Sequence, residues 1–334
     1  MVKLSKPTKG VKHMKKLLCF ILSLILSMSM LVGCEKKEDS NNESSEAATA
    51  SAEDFTYEKN EDGGITIKKY IAFDTNVVIP EKIDGVSVTC LGELSFSGAY
   101  NLERISMPDT VTVIETAAFR HLENLTSVDL SDSLETLGAG AFEGCSSLVE
   151  IELPESLSQL KAAAFKECTA LKKINIPKSV KVLRDQTFAR SGIESVTFEN
   201  GVEIIEMNAF AATKLKSVVL PSSVKSIGMN SFASCANLEN ITFNEGLKTI
   251  ADFAFTINSA LTEITIPSTV TDISELAFEQ CKGLKSVKFE GAAPLNYKYD
   301  GDIPVRCPEY TVYYHDGAKG FTSPEWCGYK TEKW

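Results

Sequence analysis

From residue 86 to about residue 290 the apolar positions recur in one order: a spaced triplet, a proline or polar break, a second apolar step, then a closing phenylalanine. The segment "SLVEIELPESLSQLKAAAF", residues 147 to 165, shows the whole unit. Alternate side chains of a strand face opposite ways, so Leu148, Ile151 and Leu153 form the inward side of a short strand and Glu150 and Glu152 its outward side. Pro154 has no N–H to donate and ends that strand. Leu157 and Leu160 form the second apolar step, and Ala164 with Phe165 closes the unit. The closing residues are Phe96, Phe119, Phe142, Phe165, Phe188, Phe210, Phe232, Phe255 and Phe278, separated by 23, 23, 23, 23, 22, 22, 23 and 23 residues.

One such unit cannot bury its apolar side alone, whereas stacked units share a continuous core with their strands in a parallel sheet. The pattern therefore predicts a β-rich solenoid of short parallel strands in nine or so coils with a capping segment at each end, roughly 43 Å long at about 4.8 Å per coil. The phenylalanines are predicted to stack as an internal column. Repeats of 20 to 29 residues with an L-x-x-[IV]-x-[IL] core belong to leucine-rich repeats. This unit resembles the BspA-like class, which reads roughly "L-x-x-I-x-I-P-x-x-V-x-x-I-G-x-x-A-F-x-x-C". The resemblance spans residues 55 to about 330 and includes "FTYEKNEDGGITIKKYIAFDTNVVIPEKIDGVSVTCLG" (55 to 92) as an opening segment and "YTVYYHDGAKGFTSPEWCGYKTE" (310 to 332) as a close. On this resemblance, residues 55–95 are an N-terminal cap, 96–290 the repeats and 291–334 a C-terminal cap. It implies a bacterial surface protein that binds protein or glycan partners and catalyses nothing. The alternative is a structural envelope protein without a specific soluble ligand.

Ahead of the repeats, "MKKLLCFILSLILSMSMLVGC", residues 14 to 34, opens with Lys15 and Lys16 and continues as an apolar run from Leu17 to Leu31. Those fifteen residues would rise about 22 Å as a helix, short of a hydrocarbon core of roughly 30 Å, and so fit a signal segment better than a membrane span. Leu31-Val32-Gly33-Cys34 resembles the lipobox of bacterial lipoproteins. That implies removal of residues 1–33, with a true start possible at Met14, and a lipid on the Cys34 thiol holding the protein to the bacterial membrane, facing away from the cytoplasm. Residues 34–54 follow as an anchor and tether; "EKKEDSNNESSEAATASAED" has no aromatic or large aliphatic residue to offset the entropy of ordering.

The chain carries 34 basic and 45 acidic residues, a formal charge of −11. Six of the lysines precede residue 35, where no acid occurs, so the remainder carries 28 minus 45, or −17. Such a surface repels phosphate backbones, which excludes nucleic acid as a partner.

Candidate chemistry is sparse, and the sequence calls for no cofactor and no metal. Cys145, Cys168, Cys235 and Cys281 each stand three residues after a closing phenylalanine, where other units hold Leu122, Ser191, Thr213 and Asn258. Neighbouring coils bring Cys145 and Cys168 within disulfide range, yet a place that accepts so many small side chains reads as a packed thiol. Cys90 occupies a place held by Val113, Thr136, Gln159 and Asp272 in later units, which suggests an exposed flank. Cys307 and Cys327, twenty residues apart in the close, are candidates for a disulfide. His121 and His315 lack a context for nucleophilic or zinc chemistry. "GAGAFEG", residues 138 to 144, misses the dinucleotide spacing and is explained by the repeat turn, and "YDGDIP", residues 299 to 304, reads as a turn. What remains is the outward strand face: Glu150, Glu152, Lys173, Asn175, Ser195, Thr197, Ser217, Asn240, Thr242, Glu263 and Thr265. Concave sheets of solenoids commonly bind partners there.

Overall fold

A computed structural model describes residues 49–274, 276–295 and 310–334. Each coil has three sides. The first carries the strands predicted from the spaced triplet, such as Lys173–Ile176, Ser195–Phe198 and Glu263–Ile266. The second carries two-residue strands formed by the second apolar step, among them Thr136–Leu137, Gln159–Leu160 and Val182–Leu183. The third is a turn carrying the closing phenylalanine, and it has a ladder of its own: the Phe119, Phe142 and Phe165 N–H groups donate to Ala141, Ala164 and Thr187 oxygens at 2.8, 2.9 and 2.8 Å.

All nine phenylalanines are buried, and their rings stack from coil to coil at centroid distances between 4.8 and 5.8 Å. The backbone turns left-handed two residues before and two residues after the ring, as at Gly140 and Gly144 around Phe142, or Ala163 and Glu167 around Phe165. This accounts for two glycines of "GAGAFEG". The third, Gly138, is set by proximity, because a Cβ there would lie 2.4 Å from the Glu115 carbonyl carbon.

The strands are not paired throughout. On the first side the ladder divides into four pieces, and residues 150–153 contribute only an isolated bridge from Glu150 to Ser127. On the second side no pairing joins Gln159–Leu160 to Val182–Leu183. The phenylalanine side stays bonded across that point. The ring spacings, up to 5.8 Å, lie within the range that offset-stacked aromatic pairs prefer.

Both capping segments continue the stack. Ile65–Tyr70 pairs in parallel with Val86–Leu91, and the Tyr70 ring stacks on Phe96 at 5.4 Å, so residues 55–95 already form coil structure. At the other end Thr311–Tyr314 pairs in parallel with Ser286–Phe289, and Tyr329–Lys333 with Thr311–Tyr314. Each end then closes with an antiparallel strand: Phe55–Lys59 on Ile65–Tyr70, and Glu325–Trp326 on Tyr329–Lys333. The folded body starts ahead of the compositional boundary at residue 55. Ala50 N–H donates to Val78 O at 2.9 Å, Ser51 and Asp54 cap a short 3-10 turn reciprocally, and Ile71 N–H donates to Asp54 O at 2.8 Å.

Candidate functional site

Strand register within each piece of the ladder, continued between pieces by the repeat spacing, places the outward residues in two columns on the first side. One runs through Glu150, Lys173, Ser195, Ser217, Asn240 and Glu263, the other through Glu152, Asn175, Thr197, Val219, Thr242 and Thr265. All are exposed except Thr265, which is half-buried. Lys173 sits opposite Ser195, Asn175 opposite Thr197, Ser217 opposite Asn240, and Val219 opposite Thr242.

Charge is graded along this face. Glu150 and Glu152 stand without an ion-pair partner among the described residues. From Asn175 to Thr242 the two columns are neutral, with Thr197 Oγ1 donating to Asn175 Oδ1 at 2.9 Å. Beyond them Glu263 is engaged by Lys288 at 2.8 Å and by the Ser286 hydroxyl at 3.0 Å, and the hydrogen bond from Lys288 holds its carboxyl below the usual range. Beside the neutral stretch Glu194 bridges Lys216 at 2.9 Å and Lys172 at 3.6 Å, with its carboxyl lowered chiefly by the Lys216 hydrogen bond. Val219, 63% exposed at the centre of the neutral stretch, is absent from the outward residues named from the sequence. Its signal was available, since alternation through "KSVVLP" turns Val218 inward and Val219 outward.

The repeat cysteines have a structural task. The thiols of Cys145, Cys168, Cys235 and Cys281 donate to the carbonyl oxygens of Phe119, Phe142, Phe210 and Phe255, one coil back, at 3.1, 3.1, 3.2 and 2.9 Å. Asn258 fills the same place and donates from Nδ2 to Phe232 O at 3.0 Å. Burial pushes the Cys145 thiol up to about 12 and Cys235 to about 11, and raises Cys168 well above its ordinary value. Cys145 and Cys168 are free thiols, although they occupy neighbouring coils. Protonated, enclosed thiols are poor nucleophiles and poor metal ligands.

Cys90 is buried at 7% exposure and does not lie on an exposed flank as its variable place suggested. The opening strand covers it, with Thr66 as its register partner, and burial followed by the nearby Glu115 charge pushes its thiol up to about 11. Cys34, Cys307 and "YDGDIP" fall outside the described residues; Cys327 is half-buried near the closing hairpin. His121 is exposed and its ring crowds Gly144, while His315 meets Glu290 at 2.9 Å and stacks on Trp334 at 4.8 Å. Among the described residues no group of three or more His, Cys, Asp or Glu side chains is placed to hold a metal ion.

A family model described as a BspA type leucine rich repeat region matches residues 89–212 and 181–296, in six copies. The chain belongs to the BspA-type leucine-rich repeat family. Among solved structures, this leucine-rich repeat protein is similar to a leucine rich cell surface protein from Faecalibacterium prausnitzii, at 20% identity over 81% of this chain and 89% of that one, with a TM-score of 0.56. It is also similar to a leucine rich repeat protein of T. pallidum, at 26% identity over 71% of this chain and 91% of that one, with a TM-score of 0.48. No curated protein matches the repeat protein's sequence. Among the described residues no helix is long and apolar enough to cross a membrane.

Proposed function

We propose that this leucine-rich repeat protein is held on the bacterial cell surface by a lipid on Cys34 and presents its first side to a protein or glycan partner, without catalysing a reaction. The neutral stretch from Asn175 to Thr242 carries the proposal. It is a strand face on which Ser195, Thr197, Ser217, Asn240 and Thr242 offer hydrogen-bonding groups around an exposed Val219. Such a face can be desolvated without stripping water from an unpaired charge, and its apolar centre adds burial at the point of contact. Family membership supports an interaction role, because a solenoid's extended sheet is where partners usually sit. The lipobox and the acid-free, lysine-bearing leader support the address.

The test is saturable binding of the full chain to a panel of matrix proteins, glycans and neighbouring cells, repeated with Val219→Arg and, off this face, with the exposed Glu61→Gln. Val219→Arg is expected to weaken binding at least tenfold and Glu61→Gln to leave it unchanged. Absence of saturable binding across the panel, or binding indifferent to Val219→Arg, refutes the assignment of this face.

A further inference from the structure

The folded body has an exposed apolar rim beside the point where the chain arrives from its leader. Residues 70–75 run alongside residues 95–104: Tyr70 N–H donates to Ser95 O at 2.7 Å, and the N–H groups of Glu103 and Arg104 converge on Thr75 O at 2.7 and 3.0 Å. That register sets Ile71 and Phe73 next to the turn carrying Tyr100. The three are 50%, 79% and 63% exposed, and Phe73 is among the most exposed large apolar residues described. The arriving chain touches the same place, because Asp54 O accepts from Ile71 N–H. Along the rest of the solenoid the place equivalent to Tyr100 holds Glu123, Ser146, Thr169, Lys214, Ser259 and Lys282 among others, and no aromatic. Exposed rings at this place are therefore confined to the anchored end.

We propose that Ile71, Phe73 and Tyr100 form a bilayer contact that seats the first coil in the interfacial layer of the membrane to which Cys34 is anchored. The inference rests on the lipid-anchor reading of Cys34. Fourteen residues separate Cys34 from Thr49, and even fully extended a chain of that length reaches no more than about 50 Å, so a body anchored at Cys34 stays within that distance of the lipid surface. At that tether length the effective concentration of lipid is high enough for a weak contact to be occupied. Amphipathic rings such as tyrosine favour the boundary between headgroup and acyl chain, and phenylalanine and isoleucine add apolar burial. Electrostatics does not supply the attraction. The body carries a formal −17 after Cys34, and at this end Lys68 is already paired with Glu58 at 3.2 Å. The partner is therefore a zwitterionic rather than an anionic lipid surface.

The test uses the full lipidated chain carrying Phe73→Trp in phosphatidylcholine vesicles with brominated acyl chains. The two native tryptophans, Trp326 and Trp334, stand in the closing segment and report the far end in the parent chain. The added indole is expected to lose at least half its emission to the bromines, while the parent emission is unchanged. A chain that floats with the vesicles but whose added indole is unquenched refutes the bilayer contact alone. A chain that neither floats nor carries a diacylglyceryl mass on Cys34 refutes the anchor, and the contact with it.

Discussion

Replacing Phe165 by alanine removes a ring that is fully buried and stacked on both sides, with Phe142 and Phe188 each 5.6 Å away and nearly parallel to it. Losing the buried apolar surface costs about 2 to 3 kcal/mol, and losing two aromatic contacts costs about 0.5 to 1.5 kcal/mol each. The sum, about 3 to 6 kcal/mol, overlaps the range of about 3 to 5 kcal/mol usual for phenylalanine truncation in a core. Phe165→Leu keeps most of the volume and forfeits only the ring contacts, so its cost is about 1 to 3 kcal/mol. In urea, with a slope of about 3 kcal/mol per molar, the alanine variant should unfold more than about 1 M earlier than the parent, and the leucine variant roughly 0.3 to 1 M earlier. Circular dichroism at 218 nm follows the loss of strand. A shift below about 0.3 M for alanine would show that the column does not hold the coils together. Leucine costing as much as alanine would show that ring stacking, not volume, supplies most of the stabilisation.

The turns and the thiols carry two further expectations. Ala163 has φ of 55°, and Ala163→Gly should raise stability by about 0.5 to 1 kcal/mol, read as a later urea midpoint, whereas an earlier midpoint would show that the turn is unstrained. The folded state raises the thiols of Cys90, Cys145, Cys168 and Cys235, so their contribution is fully present below the ordinary thiol value near 9 and is lost as pH rises through their raised values, about 11 for Cys90 and Cys235 and about 12 for Cys145. The unfolding midpoint should therefore fall above pH 9, and Cys145→Ala should flatten that fall. These four thiols should resist iodoacetamide at pH 8 until the chain is unfolded; rapid alkylation of the native protein would contradict their burial.

The repeat was legible because one bulky residue type returns at one place: a single ring per 22 or 23 residues suffices to mark the coil, and the spacing alone predicts which side chains meet. The same reasoning found the outward columns from strand alternation. It failed where the period fails. Tyr70 stands 26 residues before Phe96 and is a different residue type, so nothing in the spacing announces that it extends the ring column. The closing strand Thr311–Tyr314 has no phenylalanine at the repeat spacing; it joins through its pairing with Ser286–Phe289, the buried Val312 and the stacking of Tyr314 on Phe321 at 4.9 Å, none of which the period marks. Cys90 was misplaced because variability at its place was taken for exposure, whereas the covering strand Ile65–Tyr70 belongs to the opening segment and leaves no mark on the repeat pattern. The thiol hydrogen bonds were hidden as well. Cysteine, asparagine and threonine look interchangeable by size, and only the structure shows that the place faces a phenylalanine carbonyl in the preceding coil.

The two antiparallel closing strands bear on what many copies of this protein do when crowded together. A stack of near-identical rungs has no internal reason to stop, and an open parallel edge at each end would let one molecule dock onto the next and grow into a filament. Here the first edge is bent by a register shift between Thr56 and Tyr57 and carries the Glu58–Lys68 charge pair, and the last is a strand of two residues that begins after Pro324. Elongation from these two strands is thereby blocked, so neighbouring copies do not extend one another's sheets there.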